Sequence, residues 1–169
     1  MLRAVLLTVA AASSQVALAD SHCTNELIKP STPDNAFLAQ GAAGDIYDRR
    51  TGRTWKRCAL GQSFSGGSCV GEAIVYDNWQ EALLAAQSVP GWRMPNVAEL
   101  ESIVEDCASA PAINSEIFPN TPIDSGFWTA TPAGSLSFPT GAFRISFDSG
   151  STIVSNRINP GHVRLVRID

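Results

Sequence analysis

The sequence is poor in the groups that most often carry out chemistry. Its 169 residues include only two histidines, His22 and His162. It has no G-x-S-x-G motif around a nucleophilic serine and no glycine loop of the kind that binds nucleotide phosphates. None of its four cysteines lies in a C-x-x-C pair. We therefore expect a protein that binds a partner, without a cofactor, rather than an enzyme.

Long apolar runs are absent beyond the first twenty residues. Residues 1–19 carry Arg3, then the run AVLLTVAAA, and end with small residues at Ala17 and Ala19. This pattern predicts a secretory signal peptide cleaved near Ala19, and the run is too short for a membrane helix. We therefore expect one exported domain of about 150 residues, which is secreted, periplasmic or displayed at the cell surface.

Positive charge is also scarce. The chain has 12 Lys and Arg against 16 Asp and Glu, and loss of Arg3 with the signal peptide would leave a formal charge of −5. Such a domain has no general attraction for nucleic acid or for an anionic membrane. The exception is the stretch RRTGRTWKR, whose five cations could bind an acidic ligand or form only a solvated hairpin. These cations are Arg49, Arg50, Arg53, Lys56 and Arg57.

The four cysteines all follow the predicted cleavage site. An even number in an exported chain indicates two disulfides. Zinc is the alternative, and His22 could join Cys23 in a site, but no regular ligand spacing supports it, so we predict no metal. Cys58 and Cys69 flank one glycine-rich loop, which favours their pairing and leaves Cys23 with Cys107. Three pairings remain possible from sequence alone.

Hydrophobic periodicity predicts an α+β domain. Residues 20–44 are polar and we expect an irregular segment, followed by a hairpin at 45–57. Alternation at 142–148, the turn residues DSG and the run STIV predict a second hairpin. We expect a further strand from Phe127 and a final one at 163–168. The four tryptophans, Trp55, Trp79, Trp92 and Trp128, are expected in the core.

Two helices are predicted between these strands. The first begins after Asn78, with Glu81 three residues later as in a capping box. The second begins at Asn96, again followed by a glutamate, and its apolar stripe continues to Cys107, so we expect it to end near 108–111.

The stretch GWRMPNVAEL places an arginine in an apolar clump before the second helix. A partly buried arginine needs acceptors, and Glu99, Glu101 or a backbone carbonyl could supply them. We interpret Trp92, Arg93, Pro95 and Glu99 as a structural pin that fixes the loop to the helix. A ligand site is the alternative.

Six motifs follow one another in an order that resembles the Lcl C-terminal domain family, a group of bacterial exported domains. They are TGRTWKRCALGQSFSGGSC, NWQEALLAA, GWRMPNVAELESIV, PAINSEIFPNTP, FWTATP and VRLVR. The resemblance runs from Asp45 to Arg167, and we assign residues 45–169 to this domain. It implies a fold similar to C-type-lectin-like domains, with two helices, short antiparallel strands and long loops.

The resemblance also implies a function. The member that names the family is a surface adhesin whose domain binds sulfated glycosaminoglycans. We therefore expect an exported, non-catalytic binding or adhesion module for sulfated or acidic glycans. A structural or assembly subunit of the bacterial cell envelope is the alternative.

Two more specific functions do not carry over. The calcium-site motifs of sugar-binding lectins, E-P-N, Q-P-D and W-N-D, do not occur, and Asp124 and Asp148 are isolated, so we predict no calcium site. The stretch WRMPNVAELE is also similar to the formylglycine-generating enzyme family, which uses reactive cysteines in the C-terminal part of the domain. Here no cysteine follows Cys107. An enzyme is therefore the third alternative.

Overall fold

The computed structural model describes residues 22–41, 44–134 and 140–168. The predicted signal peptide at 1–19 lies outside the described residues. Within these three ranges the longer helix has nine residues, and neither helix has the length and apolar character needed to cross a bilayer.

The domain is of the mixed α+β class predicted from the sequence, with few helices and several small antiparallel sheets. In chain order its elements are β1 (Phe37–Gln40), β2 (Asp45–Asp48), β3 (Arg53–Trp55), β4 (Ser63–Ser65), β5 (Ser68–Val70), α1 (Trp79–Gln87), β6 (Trp92–Arg93), α2 (Val97–Glu101), β7 (Phe127–Ala133), β8 (Gly141–Ser146), β9 (Ser151–Asn156) and β10 (Val166–Arg167).

The strands form three sheets. The largest has the order β1-β2-β3-β10-β6, so that β10 lies in the sheet interior although it comes last in the chain. Val166 pairs with Trp55 of β3 on one side and with Arg93 of β6 on the other. The second sheet is β7-β8-β9 and the third is the hairpin β4-β5.

The predicted hairpins and the first helix are confirmed. In the hairpin of β2 and β3, the amide of Gly52 donates to the carbonyl of Asp48 at 2.8 Å. Gly52 has a φ of 71°, a left-handed conformation that glycine adopts without strain. At the start of α1, the side chain of Asn78 accepts a hydrogen bond from the amide of Glu81 at 2.9 Å.

The second helix is shorter than predicted. It ends at Glu101, whereas the apolar stripe led us to expect a helix as far as 108–111. The reason is Glu105, whose buried carboxylate accepts hydrogen bonds from the amides of Ser31 and Cys107. Burial raises the pKa of this carboxyl, but the hydrogen bonds around it lower the pKa to about 2. The contact of Glu105 with Ser31 in the N-terminal segment therefore takes the place of the last turns that were predicted for α2.

Three other expectations need correction. The segment 20–44 contains β1, because positive φ angles at Gly41 and Gly44 frame the turn that pairs it with β2. The glycine-rich loop contains the two-stranded hairpin β4-β5, whose strands have three residues each. The final strand is limited to β10, because residues 163 and 165 accept hydrogen bonds from a loop after β3 instead of from a regular strand.

The core joins the two larger sheets and α2. Its main cluster contains Ile46, Trp55, Leu100, Ile103, Phe118, Phe127, Ile145, Phe147 and Val166. A second cluster packs α1 against Trp92, Met94 and Trp128. Trp55 and Trp128 are fully buried and Trp92 is 8% exposed, so the predicted core position of these three tryptophans is confirmed. Trp79 is only partly buried and packs against the second cluster.

Two disulfides close the structure. Cys58 is bonded to Cys69 and Cys23 to Cys107, which is the pairing favoured from the sequence. The first closes a short loop with a sequence separation of 11, whereas the second spans a separation of 84. The long bond attaches the N-terminal segment to the chain just after α2.

We predict that the two disulfides differ in their effect on stability. In the chain-entropy model, removing Cys58–Cys69 costs about 3 kcal/mol and removing Cys23–Cys107 about 4.5 kcal/mol, because the longer bond excludes more unfolded conformations. The free energy of unfolding in guanidinium chloride, measured for the two double Cys→Ser variants, tests this order. A larger loss for the Cys58–Cys69 variant would contradict it.

Candidate functional site

The β2–β3 hairpin separates the five cations that are grouped in the sequence. Arg49 and Arg50 lie at its turn, Arg53 begins β3, and Lys56 and Arg57 follow the other end of that strand. A strand advances about 3.3 Å per residue, so the two steps from Arg53 to Trp55 place the ends of β3 roughly 7 Å apart. The cluster is therefore divided into two parts.

The part at the turn is largely engaged in ion pairs. Nη2 of Arg50 lies 2.9 Å from the buried carboxylate of Asp48, and the same guanidinium donates to two backbone carbonyls at 2.7 Å. Nε of Arg53 lies 3.3 Å from Oε1 of Glu99. Arg49 and Arg50 are both exposed at this end. Arg50 and Arg53 therefore connect parts of the domain to one another.

The other part borders a cavity of about 320 Å³ beside the disulfide loop. Its lining includes Lys56, Arg57, Gln62, Ser63 and Phe64, and no described lining residue is an aspartate or a glutamate. We call this cavity the cationic pocket. The Cys58–Cys69 bond forms part of its wall and holds the β4-β5 hairpin in place.

Arg57 is the cation of this pocket with unused hydrogen-bond donors. Its guanidinium carbon lies 4.2 Å from the centroid of the Phe64 ring, and its Nε is buried without a hydrogen bond to any described residue. Burial lowers the pKa of Arg57 below its ordinary value. Lys56 differs, because its Nζ donates to Asp45 at 2.8 Å and lies over the ring of Trp92.

A third cation lies beneath the backbone of the pocket. Arg164 is fully buried, and its Nη1 donates to the carbonyls of Lys56, at 3.2 Å, and of Arg57. Its Nη2 donates to the hydroxyl of Thr121 at 2.7 Å, and its guanidinium carbon lies 4.9 Å from the Phe118 ring centroid. Burial lowers the pKa of Arg164 to about 9, which keeps it charged at neutral pH. No carboxylate of the described chain pairs with it.

The residues of the structural pin lie together in the geometry that this interpretation requires. Arg93 donates from Nη1 and Nη2 to the two carboxylate oxygens of Glu99, both at 2.7 Å. The same carboxylate accepts from the amide of Asn96 at 2.8 Å and completes the capping box of α2. Trp92 and Pro95 are buried beside it. The arginine thus stabilises the start of a helix.

A second cavity, of about 360 Å³, carries charges of both signs. Asp124 and Arg144 line it. Beside Asp124, the buried ring of His162 has Nε2 at 3.1 Å from the Asp124 carboxylate and Nδ1 at 3.0 Å from the carbonyl of Ile74. Because both ring nitrogens face oxygen acceptors, His162 is not placed to activate a nucleophile. The second cavity is lined by charges of both signs, so it does not favour an anion over a cation.

The family model of the Lcl C-terminal domain matches residues 44–167. The chain belongs to the Lcl C-terminal domain family. Searches of curated proteins and of solved structures give no significant match. The matched span of the Lcl C-terminal domain contains the cationic pocket, Arg164 and the structural pin, whereas Cys23 and β1 precede it.

The role of Arg164 in this Lcl C-terminal domain was not predicted from the sequence. The run VRLVRI was expected to be a strand, in which side chains alternate between the two faces. In the structure the strand is limited to Val166–Arg167, and residues 162–166 are all buried, so alternation does not select Arg164. Its burial depends instead on acceptors at Lys56, Arg57 and Thr121, which are distant in the chain.

We predict that Arg93→Ala lowers the free energy of unfolding at neutral pH by about 1–3 kcal/mol. This range lies between the values for exposed and buried ion pairs, because about a third of the Arg93 side chain is exposed. Denaturant unfolding measures it, with Arg49→Ala as the control for loss of one exposed arginine. Equal unfolding free energies for the two variants would show that Arg93 is not a structural pin.

The same pair predicts a dependence on pH. The hydrogen bond from Arg93 holds the pKa of Glu99 below its ordinary value of 4.5. A carboxyl with a lowered folded-state pKa stabilises the fold above its unfolded pKa and loses that contribution as the pH falls through the folded pKa. The difference in unfolding free energy between the wild type and Arg93→Ala should therefore be smaller at about pH 3 than at about pH 7. A difference that grows in acid would contradict this.

Proposed function

We propose that this domain is a non-catalytic binding module that holds acidic groups of glycans, sulfate or carboxylate, in the cationic pocket. The observation that carries the proposal is the charge of this cavity. Lys56 and Arg57 line it, Arg164 lies beneath its backbone, and none of its described lining residues is acidic. Asp45, paired with Lys56, is the one carboxylate in contact with these three cations among the described residues.

Arg57 supplies the recognition chemistry. A guanidinium presents a planar fork of N–H groups that matches the oxygens of sulfate and carboxylate. Its contact with the Phe64 ring uses the face of that fork. Because Nε is buried, Nη1 and Nη2 are the donors that would meet a ligand. A cavity of about 320 Å³ lies at the small end of ligand sites and suits one acidic sugar unit.

The family membership favours the same ligand class. The adhesin that names the family binds sulfated glycosaminoglycans, and a C-type-lectin-like relationship would fit a binding role. The two disulfides accord with export to an oxidising compartment. We therefore propose an exported or surface-displayed protein.

The overall charge limits the affinity. A formal charge of −4 repels a polyanion everywhere except near local cations. Contacts of the pocket rim are screened over a Debye length of about 8 Å at physiological ionic strength. Binding is therefore weak for a single domain and strongly dependent on salt, and useful avidity requires several copies.

We predict that the wild-type domain is retained on a heparin column at low salt and that Lys56→Gln/Arg57→Gln is not. The matched control is Lys29→Gln/Arg49→Gln, which removes the same charge from two exposed positions. We expect the control to be retained at low salt and all three proteins to elute at high salt. Thermal melting of each variant verifies that it is folded.

Two outcomes would overturn the proposal. Equal losses in both double variants would mean a general charge effect without a pocket. No retention of the wild type at low salt would exclude this ligand class and favour a structural or assembly subunit of the cell envelope. Substituting Arg49, Arg50 and Arg53 together is a poorer test, because it also breaks the pairs with Asp48 and Glu99.

A further inference from the structure

A compact set of metal-ligand groups lies where the N-terminal segment meets the loop after α2. One ligand atom each from His22, Cys23, Glu105 and Cys107 can be chosen so that all four lie within 4.8 Å of one another. His22, Glu105 and Cys107 are buried. The two sulfurs are joined as the Cys23–Cys107 disulfide.

We propose that this cluster is a redox-gated zinc site: when a dithiol reductant opens the Cys23–Cys107 bond, His22, Cys23, Glu105 and Cys107 bind one Zn²⁺. Two electrons from the dithiol convert the disulfide into two thiols, and the dithiol becomes a cyclic disulfide. Zinc then binds both sulfurs as thiolates and releases two protons. In the oxidised chain the sulfurs are bonded to each other and the site is closed to metal.

The environment of His22 points to a metal ligand. Its side chain is fully buried, with Nε2 3.2 Å from Oε2 of Glu105 and Nδ1 3.4 Å from Oδ1 of Asp34. Although Nδ1 is within ion-pair distance of Asp34, it makes no hydrogen bond to a described residue. Zinc on Nε2 would leave the ring proton on Nδ1, directed at Asp34. This is the carboxylate–histidine–zinc arrangement that orients such ligands in proteins.

The two carboxylates are already fixed in place. Glu105 accepts hydrogen bonds from the amides of Ser31, Thr32 and Cys107, so that its Oε2 stays opposite His22. The amide nitrogen of Asn114 donates to Oδ1 of Asp34 at 2.7 Å. Oε2 of Glu105 also accepts from the hydroxyl of Thr32 at 2.6 Å and lies 3.2 Å from Nε2 of His22. Zinc would enter between Oε2 and Nε2, and Asp34 would remain the partner of His22.

The donor set suits zinc. Two thiolates, one imidazole and one carboxylate give four-coordinate tetrahedral sites with ligand distances of about 2.0–2.3 Å, so the ligand atoms would lie roughly 3.3–3.8 Å apart. The distances between the four ligand atoms, now up to 4.8 Å, would therefore shorten by about 1 Å on zinc binding. The two sulfurs would move apart once their bond is broken. Soft thiolates favour zinc over magnesium or calcium. The metal would then attach the N-terminal segment in the reduced chain, as the disulfide does in the oxidised one.

Cobalt titration of the full chain carrying Cys58→Ser/Cys69→Ser tests the proposal, because only Cys23 and Cys107 remain. A phosphine reduces the bond, taking one oxygen atom from water to become its oxide, and unlike a dithiol it does not compete for the metal. We expect one equivalent of Co²⁺ to give a thiolate-to-cobalt charge-transfer band and tetrahedral d–d bands, which Zn²⁺ then removes. The same chain left oxidised should give neither.

The site residues are tested by matched variants in this background. His22→Gln should weaken Co²⁺ and Zn²⁺ binding at least about tenfold, whereas His162→Gln, which removes the other histidine, should not. If the background variant does not fold, reduced wild type is compared with Cys23→Ser/Cys107→Ser, which should lose the thiolate band. Equal binding by His22→Gln and His162→Gln, a band that survives without Cys23 and Cys107, or no band at all would overturn the site.

Discussion

The arrangement of the Lcl C-terminal domain depends on the burial of one cation, Arg164. A charge inside a protein is costly unless its donors are satisfied. Nη1 and Nη2 of Arg164 donate to the carbonyls of Lys56 and Arg57 and to the hydroxyl of Thr121, whereas its Nε has no partner among the described residues. The aromatic ring of Phe118 covers the guanidinium. The side chain therefore joins the final strand region to the loop after β3. The disulfide loop and the cationic pocket are built on that loop, so their positions follow from the same contact.

The features that could be predicted from sequence are those decided by near neighbours. The cap at Asn78, the turn at Gly52 and the pair of Arg93 with Glu99 join residues at most six positions apart, and local chemistry is enough to specify them. The short loop between Cys58 and Cys69 favoured the observed pairing, although three pairings were possible from the sequence. The candidate site was predicted less well, because adjacency in sequence suggested a patch where β3 in fact separates the cations.

The features that could not be predicted are set by distant partners. The early end of α2 is decided by contacts of Glu105 with Ser31, 74 positions away, and no periodicity within the helix encodes them. The same is true of Arg164, whose carbonyl acceptors, Lys56 and Arg57, lie more than a hundred positions earlier. Hydrophobic pattern still placed the buried side chains correctly, since Ile103 and Cys107 remain in the interior after the helix has ended. Burial was therefore easier to predict than backbone conformation.

The central position of β10 has a consequence for how the chain is made. β3 and β6 are the neighbours of β10 and leave the ribosome before it, and until residues 163–167 emerge each has a row of unpaired backbone groups on the side where β10 will lie. Pairing of Val166 with Trp55 closes a loop of 111 residues, the kind of non-local contact that slows folding. Vectorial synthesis thus leaves the largest sheet as two open halves until its last strand arrives.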